Sequence, residues 1–586
     1  MSRKEIPIFF ACDDNFVKFT AVSLCSIKEN ANRDHDYKIY VLHTGITEKM
    51  MNVLYDMQDE NFTVVFRDVT DYLESIAEKL PIRDYYSKTT YFRIFIAEMY
   101  PEYDKAIYID SDTVVCGDIS EFYNTDIGDC YIGACREQVM LQTKEFGDYV
   151  EKVVGVDRHN FFNAGILLIN CDEFRTHFVL DKFIHYLNMY NFAVTQDEDY
   201  LNLICKDRVC WIDSRWNTET YGEELFPPEE AKMIHYIMVN KPWHYADCRY
   251  SDVFWKYAEK TVVCGEIKAL IDGYTEEDRE KDRESSKRLV KLALSEIERE
   301  DNFMQRQNAE RDPGRVAILK KIEEYEKAGR FSEDVEDDPP TKPLLPDDIN
   351  YLPKDPVSAA KTKLAFTAAR RFADKLIADK KLIIKEIRGV ENLSALHTGA
   401  VITCNHFNAF DSFAVQIAYE AAEQKKRRLY RVIREGNYTS FPGFYGFLMR
   451  NCYTLPLASN HKTLKKFMEA ADTVLKRGHF LLIYPEQSMW WNYRKPKPLK
   501  NGAFIFACRN NVPVVPIFIT MKDSDIVGED GFFVQEYTIH IEKPITQDRT
   551  LPYSKAVRQM ADENYEVWKQ IYEREYNIPL FYTTET

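Results

Sequence analysis

Features that would mark a secreted or membrane-spanning protein are missing from the sequence. Its thirteen cysteines include no CxxC pair, and most lie in or beside apolar runs. The first residues, MSRKEIPIFFACDD, lack the charged-then-apolar layout of a signal peptide. No stretch reaches the roughly 20 apolar residues of a membrane span. We therefore expect reduced cysteines in a cytoplasmic protein, without zinc sites or disulfides.

Motifs of several common enzyme and binding classes are also missing. The sequence holds no GxGxxG, no P-loop, no GxSxG and no internal repeat. These absences argue against a dinucleotide-binding domain, a P-loop NTPase and a hydrolase with a nucleophilic serine elbow. The net charge of −17 argues against a nucleic-acid partner, for which only the basic cluster at 494–500 speaks.

What the sequence does contain is two α/β patterns on either side of a charged segment. In residues 1–262, helical stretches alternate with the runs IPIFFAC, YKIYVLH, FTVVFRDV, KAIYID, YIGAC and GILLIN, which predicts a mostly parallel sheet. Residues 263–355 are charged and helical in period, then acidic and proline-rich; we interpret them as a solvated helical spacer and a linker. Residues 356–586 show a second alternation, with AVITCNH, RLYRVIRE, FLLIYPE and VPVVPIFIT.

Two carboxylates follow one of the apolar runs in the first half. Asp110 and Asp112 come directly after KAIYI and are separated by one residue, so both can face one side of an extended segment. Two oxygen ligands at the carboxyl end of a strand suit a divalent cation that bridges a diphosphate. An acidic turn without a cation is the alternative interpretation.

Further motifs surround this pair in a fixed order. FFACDDNF precedes it, and FNAGILLIN, TQDEDYLN and IHYIMVNKPWHY follow it. In this order the motifs resemble glycosyltransferase family 8, the retaining nucleotide-sugar transferases, over the first domain. The resemblance implies a GT-A-type nucleotide-sugar-binding fold, a mixed sheet with helices. It also implies a UDP-sugar as donor and Mn²⁺ or Mg²⁺ as cofactor.

The same resemblance implies a role for individual residues. Asp110, Asp112 and His235 would bind the cation, and the imidazole favours Mn²⁺ over Mg²⁺. Lys241 would contact the diphosphate and, with the cation, neutralise the charge that grows on the departing UDP. The residues expected at the donor are Ala11, Asp13, Asn15, Arg93, Asp110, Asn163 and Lys241.

The first half departs from the family in two places. Met238 stands three residues after His235, where the family usually has glycine, so the approach of a backbone amide to phosphate is in question there. Glu198 stands where relatives commonly have glutamine. Its carboxylate could act as a nucleophile or stabilise an oxocarbenium-like state, or it could simply favour the start of a helix. Asp197 and Glu198 are the candidate catalytic residues.

The second half carries a histidine and an aspartate shortly after an apolar run. His406 and Asp411 lie five residues apart in TCNHFNAFDSF, so a turn lets the carboxylate reach the imidazole and fix its tautomer. Such a pair is the base and its orienting partner in a triad, with a substrate hydroxyl as the nucleophile. A chance pairing of the two residue types is the alternative.

The surroundings of this pair match a second family. Asn405, His406 and Asp411 fit the NHxxxxD signature of the glycerolipid acyltransferases, of the lysophosphatidate acyltransferase type, and FPGFYGF, YPEQSMW and VPVVPIFI fall where that family has further blocks. The resemblance covers about 370–550 and implies an α/β acyltransferase domain. It implies His406 as the base, Asp411 as its partner, Glu486 as a further active-site residue, and acyl-CoA or acyl carrier protein as the donor.

The third block of this family departs most from the expected pattern. Relatives continue after the glutamate with glycine, threonine and arginine, in a loop that helps to bind the acceptor phosphate; here Gln487, Ser488 and Met489 follow Glu486. Nearby cations could replace the missing contacts or line an anionic lipid surface with Trp490 and Trp491 as anchors. Alternatively, the tryptophans are core and the cations solvated. The cations singled out for acceptor or lipid binding are Arg434, Arg450, Arg494 and Lys495, with Lys497 and Lys500 as further substitutes.

The two resemblances together predict a bifunctional enzyme. It would transfer a sugar from a UDP-sugar and an acyl group to a hydroxyl of a lipid or glycan acceptor, in glycolipid, phospholipid or acylated surface-glycan synthesis. The alternative is that only one half is catalytic and the other is a nucleotide- or lipid-binding module. An amphipathic helix at 359–382, rich in lysine and arginine, predicts peripheral attachment to the inner face of the membrane.

Overall fold

The computed structural model describes residues 3–71, 88–336, 341–424 and 426–584. The chain separates into two compact units, Met1–Gln307 and Asn308–Thr586. The division falls within the charged middle segment. The limits expected from sequence, at 262 and 355, remain predictions about where independent domains begin and end.

In the described part of the first unit, ten strands form two sheets. The larger sheet has the order β3-β2-β1-β4-β7-β6-β8, and the smaller one has the order β5-β10-β9. Strand β7 runs antiparallel to β4 and β6, while the other pairs of the large sheet are parallel. The sheet is therefore mostly parallel and mixed, as predicted. The strands are β1 (Lys4–Ala11), β2 (His35–His43), β3 (Phe62–Asp68), β4 (Lys105–Ile109), β5 (Thr113–Val115), β6 (Ile132–Arg136), β7 (Phe162–Asn170), β8 (Val209–Trp211), β9 (Thr218–Glu219) and β10 (Met233–His235).

Helices cover both faces of this sheet. The central strands are continuous apolar runs because both of their faces are buried; in β7 only the last residue is not buried. The helices are α1 (Val17–Asn30), α2 (Glu48–Tyr55), α3 (Phe92–Met99), α4 (Ile119–Tyr123), α5 (Gln138–Gln142), α6 (Lys144–Tyr149), α7 (Cys171–Thr176), α8 (Val179–Met189), α9 (Asp197–Cys205), α10 (Ser251–Ala258), α11 (Cys264–Gly273), α12 (Glu276–Glu298) and α13 (Phe303–Ala309). Shorter helical turns are Lys88–Tyr91, Val150–Val154, Arg158–Asn160 and Ser214–Asn217.

Helix α12 belongs to the core of the first unit although its sequence is highly charged. It begins with a capping box at Thr275 and Asp278, which satisfies amides of its first turn. Ala293 is fully buried in the same hydrophobic cluster as the strands, and Ser285 and Glu296 are buried as well. The segment is helical, as predicted, but the interpretation of it as a merely solvated spacer is wrong for this face.

The second unit contains one seven-stranded sheet. Its order is β11-β17-β16-β12-β15-β13-β14, and every pair is parallel except β16 with β17. The strands are β11 (Ile383–Arg388), β12 (Ala400–Thr403), β13 (Leu429–Arg434), β14 (Thr454–Leu457), β15 (Phe480–Ile483), β16 (Val514–Val527) and β17 (Phe533–Ile541). The helices are α14 (Pro313–Lys327), α15 (Pro356–Ala378), α16 (Glu391–Ser394), α17 (Asp411–Ala421), α18 (Glu435–Thr439), α19 (Gly443–Asn451), α20 (His461–Lys476), α21 (Gly502–Asn510) and α22 (Tyr553–Tyr576).

The segment interpreted as a linker is attached to the second unit where the structure describes it. Leu344 and Tyr351 are buried in its core. The Leu344 amide donates to Glu435 Oε1 at 2.6 Å, and Tyr351 Oη donates to the carbonyl of Pro456 at 2.8 Å. Residues 341–355 are therefore a packed part of this unit rather than a free tether. Among the described residues, no helix combines the length and the apolar character needed to cross a bilayer.

Candidate functional site

The first candidate site forms where two small strands bring distant residues together. Asp110 and Asp112 lie between β4 and β5, and His235 ends β10, which pairs antiparallel with β5 so that His235 faces Thr113. His235 Nε2 lies 3.2 Å from Asp112 Oδ1 and 4.0 Å from Asp110 Oδ2. The three potential ligand atoms all lie within 4.8 Å of one another, close enough to hold one cation.

Two neighbours prepare His235 for such a role. Asn217 Oδ1 lies 3.2 Å from His235 Nδ1, so Nδ1 carries the proton and the lone pair of Nε2 points toward the carboxylates. A Cβ at Gly165 would lie only 2.3 Å from His235 Cε1 and 2.7 Å from Asp110 Oδ2. The glycine of FNAGILLIN is therefore needed for the close approach of the ligands.

Cations inside the protein surround the two aspartates. Lys241 Nζ lies 2.6 Å from Asp112 Oδ2. Burial alone would raise the pKa of Asp112, but Lys241 and His235 hold it well below its usual range. The buried guanidinium of Arg93 lies 3.3 Å from Asp110 Oδ1, to which Tyr108 Oη also donates at 2.7 Å. Asp112 is thus held as a carboxylate, and Asp110 is oriented by Arg93 and Tyr108.

Asp197 and Glu198, at the start of α9, face the same cavity, and Asp199 is buried behind them. Arg93 Nε is 3.1 Å from Asp197 Oδ2, and Glu198 Oε2 accepts from the Ala164 amide at 2.8 Å. Burial raises the pKa of Asp197 to about 6 and that of Asp199 to about 7. Burial and then the charge of Glu137 raise the pKa of Glu198 well above its usual value. Glu198 lies in the first turn of the helix and also faces the cavity. Its interpretation as a residue that favours the start of the helix and its interpretation as a catalytic residue are therefore both kept.

Two further buried glutamates at this site were not found from the sequence. Glu137 accepts from the Asn163 side-chain amide and from the Val139 amide, the latter at 3.0 Å. Glu219 Oε2 accepts from the Gln138 amide at 3.1 Å. Glu137 directly follows β6, and Glu219 ends β9, so the position of a carboxylate at a strand end was the signal available.

The cavity at this site has a volume of about 300 Å³, and Glu137 is among its lining residues. Helix α12 contributes Ser285, Ser286 and Leu289 to its wall. The residues that it brings together from the predicted set are Ala11, Arg93, Asp110, Asp112, Asn163, Asp197, Glu198, His235 and Lys241. Two others are not among its lining residues: Asp13 accepts from the amides of Asn15 and Phe16 at 2.9 and 3.1 Å, and Asn15 is exposed.

Met238 takes a backbone conformation that favours glycine. Its φ is +58°, in the left-handed region, and the residue lines the cavity. The chain therefore keeps the turn that a glycine would make there, at a cost in strain. Gln196, directly before Asp197, also has a positive φ of +55°, and strained backbone of this kind concentrates at functional sites.

The second candidate site lies at the carboxyl edge of the second sheet. Strands β12 and β15 pair in parallel with Thr403 opposite Ile483, so the residues that follow them meet. His406 Nδ1 lies 2.6 Å from Asp411 Oδ2, and Tyr484 Oη donates to Asp411 Oδ1 at 2.9 Å. The Tyr484 ring also stacks on the imidazole, with centroids 4.3 Å apart. The predicted pair is formed, and Asp411 holds the proton on Nδ1.

Glu486 contacts the backbone of His406 rather than its ring. Its Oε2 accepts from the His406 amide at 3.0 Å, and its Oε1 accepts from the Lys497 amide at 2.8 Å. The Lys497 ammonium is buried 3.5 Å from Glu486 Oε2, and burial lowers its pKa. Lys497 is therefore not available for an acceptor phosphate. The sequence had not indicated that this glutamate and lysine form a buried pair that fixes the histidine loop.

The four cations singled out for acceptor or lipid binding have partners within the second unit. Arg434 Nη1 lies 2.6 Å from Asp334, Arg494 Nη2 lies 3.1 Å from Asp523, and Lys495 Nζ lies 2.8 Å from Glu326. Arg450 donates to the backbone carbonyls of Tyr438 and Phe441. Their role at a substrate stays a prediction.

The two tryptophans of the third block are part of the core. Trp490 is fully buried, and its Nε1 donates to the Glu333 carbonyl at 2.8 Å; Trp491 is 8% exposed. The interpretation of this pair as interfacial anchors is wrong, because neither ring is accessible to a lipid surface. Gln487, where the family has glycine, has a φ of +66°, so a non-glycine residue again holds a left-handed turn.

Comparison with known proteins assigns both halves. Residues 7–247 match the family model described as glycosyl transferase family 8, and residues 385–520 match the one described as acyltransferase. The chain is a fusion of a family 8 glycosyltransferase domain with an acyltransferase domain. Both predicted resemblances, the fold class and the expectation of a transferase are thereby confirmed.

Two relatives agree in sequence with the assignment of the glycosyltransferase half. A glycosyltransferase-like protein of Haemophilus influenzae is 29% identical over 272 residues, which cover 44% of this chain and 80% of that protein. Glycosyltransferase GlyE of Streptococcus pneumoniae is 30% identical over 275 residues, covering 44% of this chain and 62% of the relative. The solved structure of the galactosyltransferase LgtC with donor and acceptor sugar analogues is 26% identical, covering 44% of this chain and 96% of that one, with a TM-score of 0.38.

Proposed function

We propose that the protein is a bifunctional transferase. The glycosyltransferase domain would transfer a sugar from a UDP-sugar with retention of configuration and with Mn²⁺ or Mg²⁺ as cofactor. The acyltransferase domain would transfer an acyl group from acyl-CoA or acyl carrier protein to a hydroxyl of a lipid or glycan acceptor. The observation that supports both activities is that each unit has its own assembled centre of reactive side chains.

The first centre fits a divalent cation and a diphosphate. Asp110, Asp112 and His235 would hold the cation, which when bound would offset negative charge on the departing nucleotide. Lys241, already 2.6 Å from Asp112, would bind the diphosphate from the same side. Arg93 orients Asp110, and it pairs at the same time with Asp197.

The acidic residues of α9 would face the sugar that is transferred. Glu198 lines the cavity beside Asp197, on the side of Ala164. A carboxylate in this position would stabilise positive charge that develops at the anomeric carbon or attack it directly. Glu198→Gln tests whether the reaction needs a carboxylate at this position. Loss of transfer supports a charged role, whereas full transfer without a trapped sugar adduct would exclude a nucleophile at this position.

The second centre would deprotonate the acceptor hydroxyl. With the proton held on Nδ1 by Asp411, His406 has its Nε2 lone pair available, and no described residue bonds that atom. Nε2 would take the hydroxyl proton as the oxygen attacks the thioester carbonyl carbon, and it would pass that proton to the sulfur as the C–S bond breaks, which leaves the ester and a free thiol. The Glu486–Lys497 pair would keep the imidazole in place through the backbone.

The alternative is that one half binds its ligand without turnover. Both centres are complete in their reactive residues, which favours two activities. UDP release from UDP-sugars in the presence of Mn²⁺ and thiol release from acyl-CoA test each half separately. Asp110→Ala should abolish only the first release and His406→Ala only the second. A wild-type rate no higher than that of the matching variant would assign that half to binding.

We further propose that the protein attaches peripherally to the inner face of the membrane, as a lipid acceptor would require. Helix α15 ends at Ala378, earlier than its sequence suggested, and one of its faces is open to solvent. Val357 and Leu364 are 63% and 62% exposed there, and Lys361 and Arg371 lie on the same face at helical spacing. Apolar and cationic side chains on one exposed face are what an anionic bilayer binds.

Vesicle flotation tests this attachment. The full chain should float with anionic vesicles at low salt and should be released as ionic strength rises, since exposed charges are then screened. A Leu364→Glu, Lys361→Glu variant should stay in the soluble fraction. Equal recovery of wild type and variant with anionic vesicles at low salt would count against α15 as the contact.

A further inference from the structure

A carboxylate from outside the family motifs is bound against the third block of the acyltransferase domain. Asp334 precedes the sheet of the second unit, yet its Oδ2 lies 2.6 Å from Arg434 Nη1 and its Oδ1 lies 2.7 Å from Arg434 Nη2. Asp334 Oδ1 also accepts from the Met489 amide at 3.1 Å. The carboxylate is thus held by a two-point guanidinium contact and a backbone amide.

The loop that holds Asp334 is joined directly to the base. The amide of Trp490, next to Met489, donates to the His406 carbonyl at 3.4 Å, and the Lys497 ammonium bridges the Ser488 and His406 carbonyls. Arg434 also donates to the Gln487 carbonyl at 2.8 Å. The carboxylate is therefore bound against the loop that replaces the phosphate-binding sequence of the family, and that same loop contacts the backbone of His406.

The segment that carries Asp334 is fixed to this loop at several points. Ser488 Oγ donates to the Phe331 carbonyl at 2.6 Å, and Trp490 Nε1 donates to the Glu333 carbonyl. The Phe331 ring stacks on Trp490, with centroids 5.6 Å apart. We name residues 331–336 the strap. Its anchoring means that Asp334 is positioned by the fold rather than by a chance side-chain contact.

A guanidinium paired with a backbone amide is a site that an oxyanion occupies well. A phosphate on the acceptor would need the donors that Asp334 already uses, and it would meet the negative charge of Asp334 at close range. A hydroxyl acceptor without a phosphate meets neither obstacle.

We propose that Asp334 is a specificity-determining residue that fills the anion site of the acyltransferase domain and restricts it to hydroxyl acceptors that carry no phosphate. The inference rests on the proposed acyl transfer by His406. Neutral acylglycerols and neutral glycosides are the two sources of such hydroxyls.

Matched acceptors test the inference. With the full chain and one acyl-CoA, acylation rates are compared for lysophosphatidate, the monoacylglycerol of the same chain length, and a monoacylated glycosylglycerol. Wild type should acylate at least one neutral acceptor in preference to lysophosphatidate. Asp334→Ala should raise the ratio of lysophosphatidate to neutral acylation by about tenfold, which corresponds to about 1.4 kcal/mol of relative binding.

Two further variants control the result. Arg434→Ala combined with Asp334→Ala should remove the gain, because the phosphate would lose its guanidinium. Glu336→Gln removes a carboxylate of the same segment that pairs with Arg315 at 2.8 Å but keeps every contact of Asp334, and it should leave acceptor preference unchanged. Asp334→Asn, which keeps the side-chain volume, is the substitute if Asp334→Ala does not fold.

The outcomes separate this inference from the proposed function. If wild type releases no more thiol than His406→Ala with any of the three acceptors, acyl transfer itself is overturned. If wild type acylates lysophosphatidate at the same rate as the neutral acceptors or faster, acyl transfer stands and the role of Asp334 is overturned. An unchanged acceptor ratio in the folded Asp334 variant also overturns it.

Discussion

Asp411 makes a short contact with the base of the acyltransferase centre. Its carboxylate is buried and accepts a hydrogen bond from the Tyr484 hydroxyl, and its Oδ2 lies 2.6 Å from His406 Nδ1. Replacement of a charged acceptor by an amide would remove the preference for a proton on Nδ1 and the support for an imidazolium. The residue thus acts through His406, as a positioning residue.

We expect Asp411→Asn to lower kcat for acyl transfer by about 10²-fold or more, with a smaller effect on KM, because general-base catalysis is lost while binding is kept. Steady-state thiol release measures both constants. Asp472→Asn is the matched control, since Asp472 is also buried on a helix of this unit and pairs with Arg509 at 2.7 Å. An equal loss of kcat in both variants would mean that the effect is structural.

A residue other than glycine lowers the stability of the fold where the backbone has a positive φ. Gln487 has a φ of +66°, which strains any side chain. Gln487→Gly should raise the free energy of unfolding of the second unit by roughly 0.5–1 kcal/mol, the strain relieved less the entropy that glycine adds to the unfolded chain. Gln559→Gly, within helix α22, should instead lower it by about 1 kcal/mol. Denaturant titration compares the two; equal changes would show that the turn at 487 carries no strain.

At the scale of elements, the sequence predicted those features that depend on residues close together in the chain. The apolar runs matched the longer central strands of the two large sheets, and the five-residue spacing matched His406 with Asp411. They did not indicate the remaining strands, which are β5, β8, β9, β10, β11, β14 and β17. Contacts between distant segments were not predictable: Glu137 approaches Asn163 across two strands, and Asp334 reaches Arg434 over 100 positions. The charged surface of α12 hid Ala293, because one buried face among many charges gives a weak periodic signal.

Helix α12 allows a direct test of packing against solvation. Ala293 is fully buried, whereas the neighbouring Leu294 is 43% exposed. Ala293→Asp should lower the free energy of unfolding of the first unit by about 3 kcal/mol or more, because it buries an unpaired charge. Leu294→Asp introduces the same carboxylate one position along and should lower the free energy of unfolding by well under 1 kcal/mol. Calorimetry measures the unfolding transition of each variant. Similar losses of stability at both positions would mean that α12 is a solvated spacer.

At the scale of the whole molecule, the two centres share no residue. The group of potential metal ligands found among the described residues, Asp110 with Asp112 and His235, belongs to the first unit. The acyltransferase centre relies on the His406–Asp411 pair and on the Glu486–Lys497 pair. The two activities should therefore differ in what they require from the solution.

Removal of divalent cations should separate the two activities. Treatment with EDTA should abolish UDP release from UDP-sugars, and added Mn²⁺ should restore it, because the carboxylates and imidazole would no longer hold a cation. Thiol release from acyl-CoA by the same sample should not change. Loss of both activities on chelation would contradict the separation, and persistence of UDP release would contradict the metal site.

The contact between Phe331 and Trp490 gives the strap an optical signature. An indole sealed against an aromatic ring emits at short wavelength, and the same indole in water emits at longer wavelength. In a variant that keeps Trp490 as the single tryptophan out of the seven in the chain, the emission wavelength would therefore report whether the strap lies against the third block.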